Sequence, residues 1–132
     1  MNVTASPGVS ASSVLIEEED VVTRHALANY LGYCGYSLMQ SATTDEAFVA
    51  LKEPTLSIDV VLCDISAVGS RTCFDLANWG RANRPELGVK LTAGIDTAAQ
   101  TAAELCETAL YFARPYEPQT VVDCINQLRG RR

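Results

Sequence analysis

Two groups of carboxylates stand where one chemistry would need them. Glu17, Glu18, Glu19 and Asp20 follow the short apolar run Val14-Leu15-Ile16, and Asp64 closes the longer run Ile58-Asp59-Val60-Val61-Leu62-Cys63. If the chain brings Glu18, Glu19 and Asp64 together, their charges repel unless a cation sits between them. An all-oxygen donor set selects a hard ion, and Mg²⁺ takes a few carboxylates with water and phosphate oxygens. Arg114, at the end of a later apolar run, would add a positive charge beside them. The chemistry suggested is an aspartate that accepts a phosphoryl group with metal assistance. Plainer readings stand beside it. Asp64 would also serve as a loop cap, and four acids in a row suit the start of a solvated helix, whose positive end favours them.

The elements that would position these groups follow from the apolar pattern. Between Ile58 and Cys63 five of six residues are apolar and three are β-branched. That predicts a strand buried on both faces, as in a parallel sheet. Ligands in such sheets gather just beyond the carboxyl ends of the strands. Further strands are predicted over 14–16, 36–40, 89–93 and 109–113. Helical spacing predicts a helix over 20–31 with Val22, Ala26, Leu27, Tyr30 and Leu31 buried, ended by Gly32 and Gly35. A second starts near Thr43 and stops before Pro54, and a third covers 73–83. A fourth, over 97–107, is rich in Ala with Leu105 as its one large aliphatic side chain, and is expected to pack weakly. A fifth begins at Pro118, with Val121, Val122, Ile125 and Leu128 as its stripe. Five strands alternating with five helices predict an α/β fold, a doubly wound five-stranded parallel sheet. Residues 1–12 are expected to be a flexible tail, and 13–132 a single domain.

Composition narrows the function. The chain has 132 residues, is 48% hydrophobic and carries a net charge of −6, which disfavours nucleic acid and anionic membranes as partners. Neither a membrane span nor a signal peptide is visible, so a cytoplasmic protein is expected. Five widely spaced cysteines, with no C-x-x-C, suit a reducing compartment and small buried side chains better than disulfides or zinc. His25 is the single histidine, which leaves a Ser-His-Asp triad little to build on. A dinucleotide site would need G-x-G-x-x-G after the first strand, and it is absent. The acids at 17–20 would repel a flavin phosphate there. An aspartate phosphatase would need an acid two residues after its nucleophile, where Ser66 stands.

The residues Asp64-Ile65-Ser66-Ala67-Val68-Gly69, Cys73-Phe74-Asp75-Leu76-Ala77, Arg84-Pro85-Glu86-Leu87, Leu91-Thr92-Ala93-Gly94 and Arg114-Pro115-Tyr116-Glu117-Pro118 occur in this order. In order and spacing the chain resembles response-regulator receiver domains, CheY-like and of the single-domain alphaproteobacterial type, over residues 14–129. The resemblance implies a flavodoxin-like (βα)5 fold with strand order 2-1-3-4-5. It implies that Asp64 accepts a phosphoryl group from a histidine kinase or phosphotransfer protein. Glu18, Glu19, Asp64 and the backbone carbonyl of Ser66 would hold Mg²⁺. Such a protein is a switch rather than an enzyme, beyond self-catalysed phosphotransfer and dephosphorylation. It would signal through contacts with a downstream protein, or form a homodimer through the face of helix 4, strand 5 and helix 5.

Several positions depart from the family pattern. The acidic pair, which usually ends in Asp, is Glu18-Glu19 by its spacing to Arg24, with Glu19-Asp20 as the other register. Ala67-Val68 replaces the usual Met-Pro, and Cys73 a usual Gly. Ala93 falls where a Ser or Thr is expected to follow the phosphoryl oxygen. Thr92 would fill that role only if the strand slipped by one, which reverses its faces. Arg114 replaces a Lys, and the planar guanidinium is not equivalent at a phosphate site. Tyr111 fits either an aromatic rotamer switch or a plain strand aromatic. Two readings of one fold follow: a working phosphoacceptor, or a pseudo-receiver that serves as a phosphorylation-independent interaction module.

Overall fold

The computed structural model describes residues 12–107 and 117–130. Nine elements follow along them, strands and helices alternating as far as α4: β1 Ser13–Glu17, α1 Val21–Tyr33, β2 Ser37–Ser41, α2 Thr44–Lys52, β3 Val60–Asp64, α3 Cys73–Asn83, β4 Gly88–Thr92, α4 Gly94–Glu107 and α5 Pro118–Arg129. The strands form a parallel sheet in the order β2-β1-β3-β4. This is the α/β architecture expected. The strand predicted over 109–113, with Tyr111 and Arg114, lies outside the described residues, as does nearly all of the expected N-terminal tail.

Helix starts follow local chemistry. Asp20 caps α1 by accepting from Thr23 N, and Thr43 caps α2 by accepting from Glu46 N. Thr72 and Asp75 form a reciprocal capping box at α3. Gly35, at φ 102°, turns the chain out of α1 toward β2. Among the described residues no helix is long and apolar enough to cross a membrane.

Apolar side chains separate to the two faces of the sheet. Val14, Ile16 and Leu62 pack with α1, α4 and α5, while Leu15, Val61 and Cys63 pack with α2 and α3. The Ala-rich helix corrects an expectation here. Ala98, Ala99, Ala102 and Ala103 are all buried, and Leu105 and Cys106 join them against α1 and α5. Small side chains let this helix approach closely instead of leaving it loosely held.

The cysteines correct another. Cys34 at the end of α1 is disulfide-bonded to Cys106 in α4, and Cys63 in β3 to Cys73 at the start of α3. Only Cys124 is free, and it is exposed. Separations of 72 and 10 residues carry no local signature, because the partners meet only through the packing of distant elements.

Candidate functional site

The carboxyl ends of β1, β3 and β4 lie side by side. Glu17 pairs in register with Cys63, and Asp64 with Thr92. Asp64 is half-buried at the last position of β3, and a tight turn holds it. Its Oδ1 accepts from Ser66 N at 3.1 Å and from Ser66 Oγ at 3.0 Å, while Ala67 N donates to its carbonyl at 2.9 Å. Ile65 N bonds to Thr92 O at 2.8 Å, which ties the turn to β4.

Two further carboxyl groups feel the Asp64 charge, Glu18 beside it and Glu17 from the other face of the sheet. The Glu18 carboxyl lies close enough to Asp64 for the two to interact, and its Oε2 accepts from Asp20 N at 3.0 Å. Arg24 fixes the Glu18 backbone by donating to its carbonyl at 2.8 Å. Burial, then the nearby Asp64 charge, push the Glu18 carboxyl up to about 7, although the Asp20 N–H opposes this. Glu17 is buried at 1% exposure, and its Oε2 has no hydrogen-bond partner among the described residues. Burial and then the charges of Glu18 and Asp64 push its carboxyl up to about 8, against the opposing Asp64 N–H.

The acids of the run differ in surroundings. Glu18 reaches Asp64, but Glu19 is exposed and acts on Glu17 only as its weakest charge neighbour. Asp20 is occupied as the α1 cap and stands 3.8 Å from Arg129. Glu17 was missed because a carboxylate fully buried in a strand runs against the usual partition of charge to the surface.

β4 ends one residue earlier than expected. Thr92 is its last residue, buried, in register with Asp64 and with Oγ1 3.5 Å from Cys63 O. Ala93 follows the strand and is exposed. Parallel partners in register share a face, so the Thr92 hydroxyl stands on the Asp64 side without any slip.

The loop from 65 to 72 is held from α2. Thr44 N donates to Val68 O at 2.9 Å and Thr44 Oγ1 to Arg71 O at 2.6 Å. Ser70 Oγ donates to Asp45 Oδ1 at 2.6 Å, and these Ser70 bonds hold the Asp45 carboxyl below its usual range. Gly69 adopts φ 147°, with Thr44 Oγ1 in the space a Cβ would take. Ala67 and Val68 sit in this loop, whose two ends the Cys63–Cys73 disulfide joins.

The donors suit a hard cation. Glu18 and Asp64 offer carboxylate oxygens whose charges interact, and Mg²⁺ would relieve their repulsion.

No protein-family model and no curated relative matches this sequence. Solved structures do resemble it. A response-regulator receiver domain from Clostridium thermocellum is 18% identical with a TM-score of 0.58, over 91% of this chain and 95% of that one. A response regulator from Thermotoga maritima is 19% identical with a TM-score of 0.55, over 92% and 99%. A chemotaxis response regulator of Vibrio cholerae is 16% identical with a TM-score of 0.59, over 90% and 99%. These likenesses concern the fold: the chain has the architecture of CheY-like response-regulator receiver domains.

Proposed function

We propose that the chain is a phosphoacceptor switch in a two-component phosphorelay. The observation that carries this is the Glu18–Asp64 carboxyl pair at the carboxyl edge of the sheet, with Thr92 in register beside it. Asp64 attacks a phosphohistidine of a histidine kinase or phosphotransfer protein. The Asp oxygen–phosphorus bond forms as the phosphorus–nitrogen bond breaks, and the imidazole keeps the electron pair. Mg²⁺, when bound by Glu18 and Asp64, with Glu19 and the Ser66 carbonyl as further oxygen donors, supplies charge neutralisation for the transfer. Ser66 N and Oγ orient Asp64 through Oδ1, which leaves Oδ2 for the attack. The Thr92 hydroxyl, weakly engaged with Cys63 O, turns to the phosphoryl oxygen. Arg114 and Tyr111 are assigned the remaining cation and aromatic roles by their sequence positions.

Exposed Ile65, Val68 and Phe74 lie on or beside the acceptor loop and offer apolar contact to the donor protein. Output passes through contacts with a downstream protein, on the face that carries α4 and α5.

The test is incubation with acetyl phosphate and Mg²⁺, read by intact mass. A gain of one phosphoryl group, absent in Asp64→Asn, is expected. A folded protein that gains nothing would instead be an interaction module that works without phosphorylation.

A further inference from the structure

The sheet face opposite Asp64 carries a second cluster of ligand-type side chains. Glu17 and Cys63 are register partners and share a face, and Asp64, one residue after Cys63, points to the other. On the α2–α3 side a carboxylate oxygen of Glu17 and the Sγ atoms of Cys63 and Cys73 all lie within 4.8 Å of one another. Glu17 Oε1 is 3.6 Å from Cys63 Sγ, and all three residues are at most 1% exposed. An independent observation also points to a ligand: Glu17 Oε2 is buried with no hydrogen-bond partner among the described residues. Buried polar atoms left in that state are rare and call for an occupant.

We propose that, once the Cys63–Cys73 disulfide is reduced, Glu17, Cys63 and Cys73 bind one thiophilic divalent cation of the zinc type, and that the disulfide closes this site. The steps balance. A dithiol reductant gives up two S–H hydrogens and becomes a disulfide, while Cys63 and Cys73 become thiols. The cation then displaces the two thiol protons, together with the proton that Glu17 holds below about pH 8, to solvent and takes the Glu17 carboxylate as its third donor. Two thiolates and a carboxylate form a tetrahedral zinc set with a fourth position for water. Sulfur donors also separate this site from the oxygen-only Mg²⁺ site on the other face. Zinc–sulfur bonds of about 2.3 Å hold two thiolates roughly 3.8 Å apart. Rotation of the side chains, on Cα atoms 6.1 Å apart, supplies that spacing.

Cd²⁺ and Zn²⁺ are the probes, added to the full chain with its disulfides intact and after reduction. Sulfur-to-cadmium charge-transfer absorption and native mass report occupancy. One metal per reduced chain is expected, none on the oxidised chain, and excess Mg²⁺ does not displace it. Cys73→Ser lowers the affinity by more than about 100-fold, beyond the loss caused by removing a partner of a ligand. Cys34→Ser and Cys124→Ser leave it unchanged. Circular dichroism checks the fold of each variant. Should Cys73→Ser not fold, Glu17→Gln decides, because it keeps both sulfurs and must lower affinity at least about tenfold. A reduced, folded chain without charge-transfer absorption, or a metal that survives Cys73→Ser, overturns the proposal.

Discussion

Replacing Glu17 by Gln should flatten the dependence of stability on pH. Glu17 has a carboxyl pushed from 4.5 to about 8, chiefly by burial. Between those values the folded chain holds a proton that the unfolded chain has released. Stability therefore falls as pH rises, by about 1.4 kcal/mol for each pH unit, and the loss is complete above pH 8. From pH 5 to pH 8 this one group removes up to about 4 kcal/mol. Water drawn in as the carboxylate ionises lowers the figure, so about 2–4 kcal/mol is expected. That is a large share of the about 5–15 kcal/mol that holds a domain folded. Glu18, pushed up to about 7, adds a loss of the same sign below that pH. Gln has no such proton, but its buried amide carries its own constant cost, so the pH slope decides and the absolute stability does not. The assay is urea unfolding of the metal-free protein, disulfides intact, from pH 5 to 8.5. The variant should gain on the native protein by about 2–4 kcal/mol across that span. Profiles that stay parallel within about 0.5 kcal/mol would refute the placement of Glu17 as a buried, desolvated carboxyl.

Four further outcomes are expected. Mg²⁺ must displace the proton held by Glu18, so its affinity should rise up to about tenfold per pH unit below pH 7 and level off above it; calorimetric titrations at pH 6 and 8 read this. Thr92→Val keeps the buried volume but removes the hydroxyl beside Asp64, so chemical-shift changes on adding beryllofluoride and Mg²⁺ should be lost, while Ala93→Ser should leave them unaltered. Gly69→Ala brings a Cβ onto Thr44 Oγ1 at φ 147°, and denaturant unfolding should show a loss of about 1–3 kcal/mol. Thr72→Ala breaks the α3 capping box and should cost about 1 kcal/mol by the same measurement, with Thr72→Ser restoring most of it.

What could be read from the sequence was what local pattern determines. The apolar run ending at Asp64 became β3, and the periodic stripes became α1, α3 and α5 within a few residues. The helix start at Thr43 and the stop at Gly35 are short-range chemistry that a single chain displays. The misplacements came from quantities that depend on register. Extending β4 by one residue put Ala93 in place of Thr92, and with a period of two that error moves a side chain to the opposite face. Ending the first strand at Ile16 left Glu17 outside β1. The strand continues through it and buries a carboxylate that pattern alone assigns to solvent. The fourth helix was misjudged in the same way: alanine content shows little bulk, but only the packing partner shows that little bulk is what fits.

Consecutive residues of β3 give the site its logic. Cys63 faces α2 and α3 while Asp64 sits on the side of Thr92, so one peptide unit links the disulfide face to the acceptor face. Cys73 is bonded to Cys63 at one end of the acceptor loop and begins α3 at the other. Opening that bond frees both anchors of the segment that orients Asp64 through Ser66, although the Thr44 bonds to Val68 and Arg71 remain. A shift at Cys63 carries Asp64 with it, because the two are consecutive in one stiff strand and pair with Leu91 and Thr92 of β4. On the proposed function, the thiol state of the Cys63–Cys73 pair would therefore be mechanically coupled to the reactivity of Asp64.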